Sequence, residues 1–181
     1  MTVLVAAVAL VGVLCLLDLL LTFGVIRRLR EHAELITLGG VPDIPVLGVA
    51  VGEQPAPFSA TTTEGDLVSG PGGLVMVAFF STTCSVCPER VPPFVSYLSD
   101  HGVARESALA VVLGPQDEPP AFVTALAGAA RVTTAPELDD DPLTRAFKVV
   151  GYPAFCLLDG DGTVIATSHD PAGLPEAAAA P

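Results

Sequence analysis

Tryptophan is absent from the chain, and bases are scarce: lysine and arginine together number eight against twenty aspartates and glutamates. Beyond residue 52 the imbalance sharpens to sixteen acids and five bases. A surface of that sign repels phosphate backbones and anionic headgroups, which argues against nucleic acid as a partner and against close adhesion to an anionic bilayer. Soft metal ligands are equally few. The only C-x-x-C, Cys84-Ser85-Val86-Cys87, offers two of the four ligands that a structural zinc needs. Cys15 falls in an apolar run, Cys156 in an expected core strand, and His32, His101 and His169 have no ligand-like spacing. Zinc is therefore not expected. Copper(I), which two thiolates and one histidine can hold, remains an alternative, with His169 as the third ligand.

What the chain does have is a long apolar start. Residues 3–26, VLVAAVALVGVLCLLDLLLTFGVI, carry one formal charge, Asp18. At about 1.5 Å per residue such a run crosses a hydrocarbon core of about 30 Å. No base precedes it and no small-residue cleavage site is evident, so it reads as an uncleaved anchor over residues 1–26 and not as a signal peptide. Asp18 within the span costs a few kcal/mol, a cost relieved by protonation or by a partner helix. Arg27, Arg28 and Arg30 follow at once, and the positive-inside rule then places the rest of the chain in the cytoplasm.

Residues 27–38 can continue a helix, and residues 39–57 hold four prolines and four glycines, the composition of an irregular tether. These features predict a juxtamembrane helix and tether over 27–52, a folded domain over 53–170, and a flexible tail over 171–181. Within the domain, Leu74–Phe80 and Leu109–Leu113 are apolar throughout and read as strands buried on both faces. Between them Val91, Phe94, Val95 and Leu98 mark one face of a helix. Ala121–Ala130 and Pro142–Lys148 read as further helices. Ala154–Leu158, the turn Asp159-Gly160-Asp161-Gly162 and Thr163–Ala166 read as a closing hairpin, and Pro57–Val68 as a small leading one. The result is an α/β domain: a βαβ unit, then a helix and a ββ hairpin.

The C-x-x-C falls where the first buried strand hands over to the first helix. Exchange with other disulfides needs one exposed, easily ionised thiol and a second close enough to resolve the mixed disulfide. Cysteines at i and i+3 on a helix start meet both needs, because the unpaired amides there favour negative charge on the first sulfur. Cys84 is the expected nucleophile and Cys87 the resolving thiol. Ser81, Thr82 and Thr83 suit a strand exit and a helix cap, Pro88 suits a first turn, and Pro93 is expected to kink the helix.

With strand, C-x-x-C, proline-bearing helix and late hairpin in this order, residues 53–168 resemble the thioredoxin superfamily, and most closely its membrane-anchored branch of TlpA, ResA and MauD type. Phe80-Ser81-Thr82-Thr83-Cys84-Ser85-Val86-Cys87 matches the active-site segment, and Val150-Gly151-Tyr152-Pro153-Ala154-Phe155 the segment in which that family holds a cis-proline beside the dithiol. The resemblance implies a thioredoxin-like fold, a mixed sheet flanked by helices, behind an N-terminal transmembrane helix. It implies thiol–disulfide exchange with protein thiols and a membrane redox partner, no dissociable cofactor, and substrate contacts at Thr83, Tyr152 and Pro153. It also implies an extracytoplasmic domain serving cytochrome or dehydrogenase maturation, opposite to the side indicated by the arginines.

The match has departures. Thr83 stands where the family usually has tryptophan. Val86-Cys87-Pro88 is similar to a peroxiredoxin segment, but the threonine of a thiol peroxidase is replaced by Cys84. The copper-delivering Sco proteins have a C-x-x-x-C-P segment one residue longer. Cys156, on an expected central strand, reads as a small buried apolar residue.

Overall fold

A computed structural model describes residues 47–115, 121–136 and 141–177, together with Met1, Leu4, Gly12 and Cys15. The chain divides into two compact units, Met1–Ile44 and Pro45–Pro181. In the first, Leu4, Gly12 and Cys15 are helical. The body of the expected anchor, Asp18, the three arginines, the juxtamembrane helix and the tether up to residue 46 lie outside the described residues. No helix among the described residues is long and apolar enough to cross a membrane.

The second unit runs through β1 (Ser59–Thr61), β2 (Leu67–Ser69), β3 (Met76–Ser81), α1 (Cys87–Asp100), β4 (Ala108–Leu113), α2 (Phe122–Ala129), β5 (Arg131–Ala135), α3 (Pro142–Phe147), β6 (Ala154–Leu158) and β7 (Val164–Ser168). Strands β1 and β2 form a separate antiparallel hairpin. The other five form one sheet in the order β5-β4-β3-β6-β7, in which β3, β4 and β5 are parallel and β6 and β7 run antiparallel to their neighbours. β3 and β4 are buried at every position, as their unbroken apolar runs require of strands covered on both faces.

Alternation along these strands sorts the core into two layers. Val77 and Phe79 of β3, with Leu109, Val111 and Leu113 of β4, face Leu143 and Phe147 of α3 and Val68 of the hairpin. Met76, Ala78 and Phe80, with Ala108, Ala110 and Val112, face Val91, Phe94 and Leu98 of α1 and Leu126 of α2. Phe80, Phe94 and Phe155 meet pairwise at ring-centroid distances of 5.7–5.8 Å, fastening α1 to the sheet. Such ring pairs contribute about 0.5–1.5 kcal/mol each beyond the area they bury. Helix α1 continues through Pro92 and Pro93. Helix α3 is capped by Asp141, a buried carboxylate that accepts from the Thr144 amide at 2.8 Å. Burial, outweighing these hydrogen bonds, raises the Asp141 pKa.

The structure departs from the expected boundaries in three places. The second unit begins at Pro45, eight residues before Glu53, because Leu47 and Val49 are buried in the core and Leu47 bridges to Val149. The segment 171–177 is anchored at points along its length: Pro171 and Leu174 are buried, and Pro175 O accepts the Tyr97 hydroxyl of α1. β5 has no counterpart among the expected elements. Its sequence, RVTTA, lacks an apolar run, but pairing along β4 makes it the edge of the sheet.

Candidate active site

Position in the sheet explains why the dithiol and the Tyr152-Pro153 segment meet although they are far apart in sequence. β3 is the central strand, with parallel β4 on one side and antiparallel β6 on the other. The chain leaves the carboxyl end of β3 into the turn that carries Cys84 and leads to α1. Because β6 is antiparallel, its amino end lies beside the carboxyl end of β3, with Phe79 opposite Ala154. Continuing that register places Pro153 level with Phe80 and Tyr152 level with Ser81.

At the exit, Thr83 N and the Thr83 hydroxyl both bond the Ser81 hydroxyl, at 3.2 and 3.0 Å. The helix therefore starts later than the sequence suggests. Val86 is the N-cap, no side chain caps the helix, and Cys84 sits in the turn ahead of it while Cys87 opens α1. Ser81, Thr82 and Thr83 shape the turn and do not cap the helix.

Both cysteines are free thiols. Cys84 is half-buried, and its Sγ accepts the Cys87 amide at 3.2 Å. Cys87 is fully buried, and its Sγ accepts the Ser81 amide at 3.5 Å. Burial pushes the Cys87 thiol up to about 12, reinforced by its hydrogen bond to the Cys84 sulfur and opposed by the Ser81 amide. The arrangement is unequal: one cysteine is half-buried, and the other is fully buried with its thiol held protonated.

Tyr152–Pro153 is a cis peptide. Pro153 is buried and Tyr152 half-buried. Tyr152 and Thr83 line one cleft of about 470 Å³ together with Ser81, Leu113, Gly114, Pro115 and Pro136. Only Ser81, Thr83 and Tyr152 bring side-chain hydroxyls to the cleft, and its far wall, at the ends of β4 and β5, is not visible in the sequence because β5 is not. The signal that could have found it is the pair Pro115 and Pro136, each one or two residues beyond a strand end.

Gly114 fixes that wall. Its φ of +137° is one that other residues rarely adopt, and a Cβ there would fall 1.8 Å from the Thr82 Oγ1. Gly114→Ala is expected to destabilise the domain by about 1–3 kcal/mol, seen as a lower urea midpoint. Adding Thr82→Ala should recover only the steric part of that loss. An unchanged midpoint for the single variant would mean that the turn repacks freely.

Cys156 takes the opposite face from the dithiol. It packs with Phe79 and Phe147, whereas Cys87 packs with Phe80 and Phe94, so the sheet itself separates the two thiols. Burial pushes the Cys156 thiol up to about 12. His169, the candidate copper ligand, bonds the Pro153 carbonyl through Nδ1 at 2.9 Å. Among the described residues no three histidine, cysteine or acidic side chains are grouped to hold a metal.

No protein-family model and no curated protein matches the chain. Solved structures do. The chain is similar to a thio-disulfide isomerase from Thermus thermophilus, at 22% identity and a TM-score of 0.52 over 66% of this chain and 86% of that one. It is also similar to the thioredoxin domain of a thiol-disulfide oxidoreductase from Bacteroides vulgatus, at 17% identity and a TM-score of 0.50 over 66% and 89% of the two chains. The fold is thioredoxin-like, a central mixed sheet flanked by helices.

Proposed function

We propose that the chain is a membrane-tethered thiol–disulfide oxidoreductase that exchanges disulfides with protein substrates through Cys84 and Cys87. In the reducing direction the Cys84 sulfur attacks one sulfur of a substrate disulfide, and the substrate sulfur released takes up a proton. Cys87 then loses its proton and attacks the Cys84 sulfur, freeing the second substrate thiol and leaving a Cys84–Cys87 disulfide. Two electrons have passed from the pair to the substrate, and a partner dithiol restores them. The chemistry needs no dissociable cofactor.

The observation that carries this reading is the unequal pair: a half-buried Cys84 and a fully buried, protonated Cys87 one turn on, beside Tyr152 and Pro153. A protein substrate is favoured by the surroundings. Val86, between the cysteines, is 44% exposed and Val150, ahead of Tyr152, is 61% exposed, two of the few large apolar side chains in water among the described residues. Isolated apolar side chains are ordinary on a surface, but one between the two cysteines and one two residues before Tyr152 suit contact with a polypeptide. The test is turnover. The reduced chain should accelerate insulin-disulfide reduction well above the dithiothreitol background, and no acceleration would remove the reading.

The tether rests on the apolar run of residues 3–26, and the substrates are then cysteines of proteins assembled at the same membrane, such as cytochromes or dehydrogenases. We place the domain on the extracytoplasmic side, where the resemblance to the TlpA and ResA branch puts it. A membrane-impermeant maleimide should then label Cys84 in intact cells. Labelling only after lysis would return the domain to the cytoplasm, as Arg27, Arg28 and Arg30 indicate.

A further inference from the structure

The two walls of the dithiol site are joined by a pair of adjacent residues, His169 and Asp170, at the end of β7. The β6–β7 ladder pairs Phe155 with Ser168, and continuing it would set Ala154 against His169 and Pro153 against Asp170. The β7 backbone does not continue. The Asp170 amide turns back to the Ser168 hydroxyl at 3.0 Å, the Asp170 carboxylate accepts the Ala172 amide at 3.1 Å, and the chain enters a single 3-10 turn over Pro171–Gly173.

That departure would leave the carbonyl of the buried Pro153 without a backbone partner on β7. His169 Nδ1 takes the missing place at 2.9 Å. The next residue reaches the other wall: Asp170 Oδ2 pairs with Arg90 Nη1 at 2.8 Å, and Arg90 stands in the first turn of α1, three residues after Cys87. The ion pair is half exposed and contributes little by itself. Its use is geometric, since it holds the loop that presents the imidazole.

We propose that His169 is a positioning residue for substrate: its Nδ1–H donates to the Pro153 carbonyl and holds the Tyr152-Pro153 wall at a fixed spacing from Cys84. This rests on the thiol–disulfide reading above. His169 touches neither sulfur, so the inference separates substrate docking from sulfur chemistry. A fixed wall lowers the ordering cost of docking a polypeptide and leaves the bond exchange itself unchanged. Asparagine places an N–H the same number of bonds from Cα as histidine Nδ1, and glutamine places it one bond further.

The experiment compares wild type, His169→Ala, His169→Asn and His169→Gln. For insulin reduction, His169→Ala should raise KM about three- to tenfold, the worth of one hydrogen bond, while kcat changes less than about twofold. His169→Asn should recover most of the KM and His169→Gln little of it. Alkylation of Cys84 by iodoacetamide should keep its rate in all four proteins. Equal KM in wild type and His169→Ala, or a parallel fall in kcat and alkylation rate, overturns the proposal. Hydrogen exchange reads the same contact without turnover. Residues 151–155 should exchange several-fold faster in His169→Ala and at the wild-type rate in His169→Asn. If wild type fails to reduce insulin, the functional reading falls by itself, and the exchange data still decide whether His169 holds the wall.

Discussion

Replacing Cys84 with serine is expected to lower disulfide reduction on the order of 10³-fold or more, to the level of the surrounding solution thiols. Serine keeps the volume and the hydrogen bond from the Cys87 amide but is a far weaker nucleophile at neutral pH. Cys87 cannot substitute, because it is fully buried and its thiol stays protonated. The converse variant behaves differently. Cys87→Ser retains the first attack and loses the second, so it should accumulate a mixed disulfide between Cys84 and its substrate, visible as a higher-mass band on non-reducing gels. A mixed disulfide formed by Cys84→Ser and not by Cys87→Ser would reverse the two roles. Equal residual turnover in both variants would mean that the pair does not work as attacking and resolving sulfurs.

Alkylation of Cys87 at neutral pH should run about a thousandfold slower in the folded protein than alkylation of an ordinary cysteine. The Cys87 thiol lies at about 12 against an ordinary 9.0. Three pH units correspond to about a thousandfold in thiolate fraction, and only the thiolate reacts. The sign follows from the cause. Burial penalises the charged form, so the proton is held more tightly and the reactive anion is rarer at every pH below about 12. One equivalent of iodoacetamide should therefore modify Cys84 almost alone between pH 7 and 9. Labelling of Cys87 in the folded protein should climb about tenfold per pH unit up to about pH 12, and peptide mass mapping after a timed quench would follow it. Comparable labelling of both cysteines at pH 7 would show that Cys87 is neither buried nor protonated as the geometry requires. Unfolding in guanidinium should abolish the difference, because it depends on burial and on the hydrogen bond to the Cys84 sulfur.

The parts legible in advance were those coded by short-range pattern. The continuous apolar runs become β3 and β4, buried at each position, and the spacing of Val91, Phe94 and Leu98 becomes the inner face of α1. The Asp159–Gly162 turn is equally local. Asp159 Oδ1 accepts the amides of Asp161 and Thr163, and Gly162 takes a φ of +82°. β5 is not legible for the opposite reason, since RVTTA becomes a strand only through pairing with β4, and an edge strand needs few apolar side chains. Leu47 and Val49 lie in a proline- and glycine-rich stretch that reads as tether, and Leu174 in a segment whose weak apolar periodicity reads as tail. Their burial comes from distant partners that composition does not reveal.

The sequence by itself determined the chemistry available: two thiols three residues apart, at a boundary between a buried strand and an apolar-faced helix, with no further ligands spaced for zinc. Those facts are local, and local pattern needs no knowledge of what lies across the sheet. The tertiary structure decided how the chemistry is arranged. It buried Cys87 and left Cys84 in reach of solvent, put Cys156 behind the sheet, and brought Tyr152 and Pro153 alongside through the antiparallel register of β6 on β3. It also joined His169 to Pro153 and Asp170 to Arg90. Each of these depends on residues distant along the chain, and their meeting is fixed by strand order and register and not by any property of the segments alone.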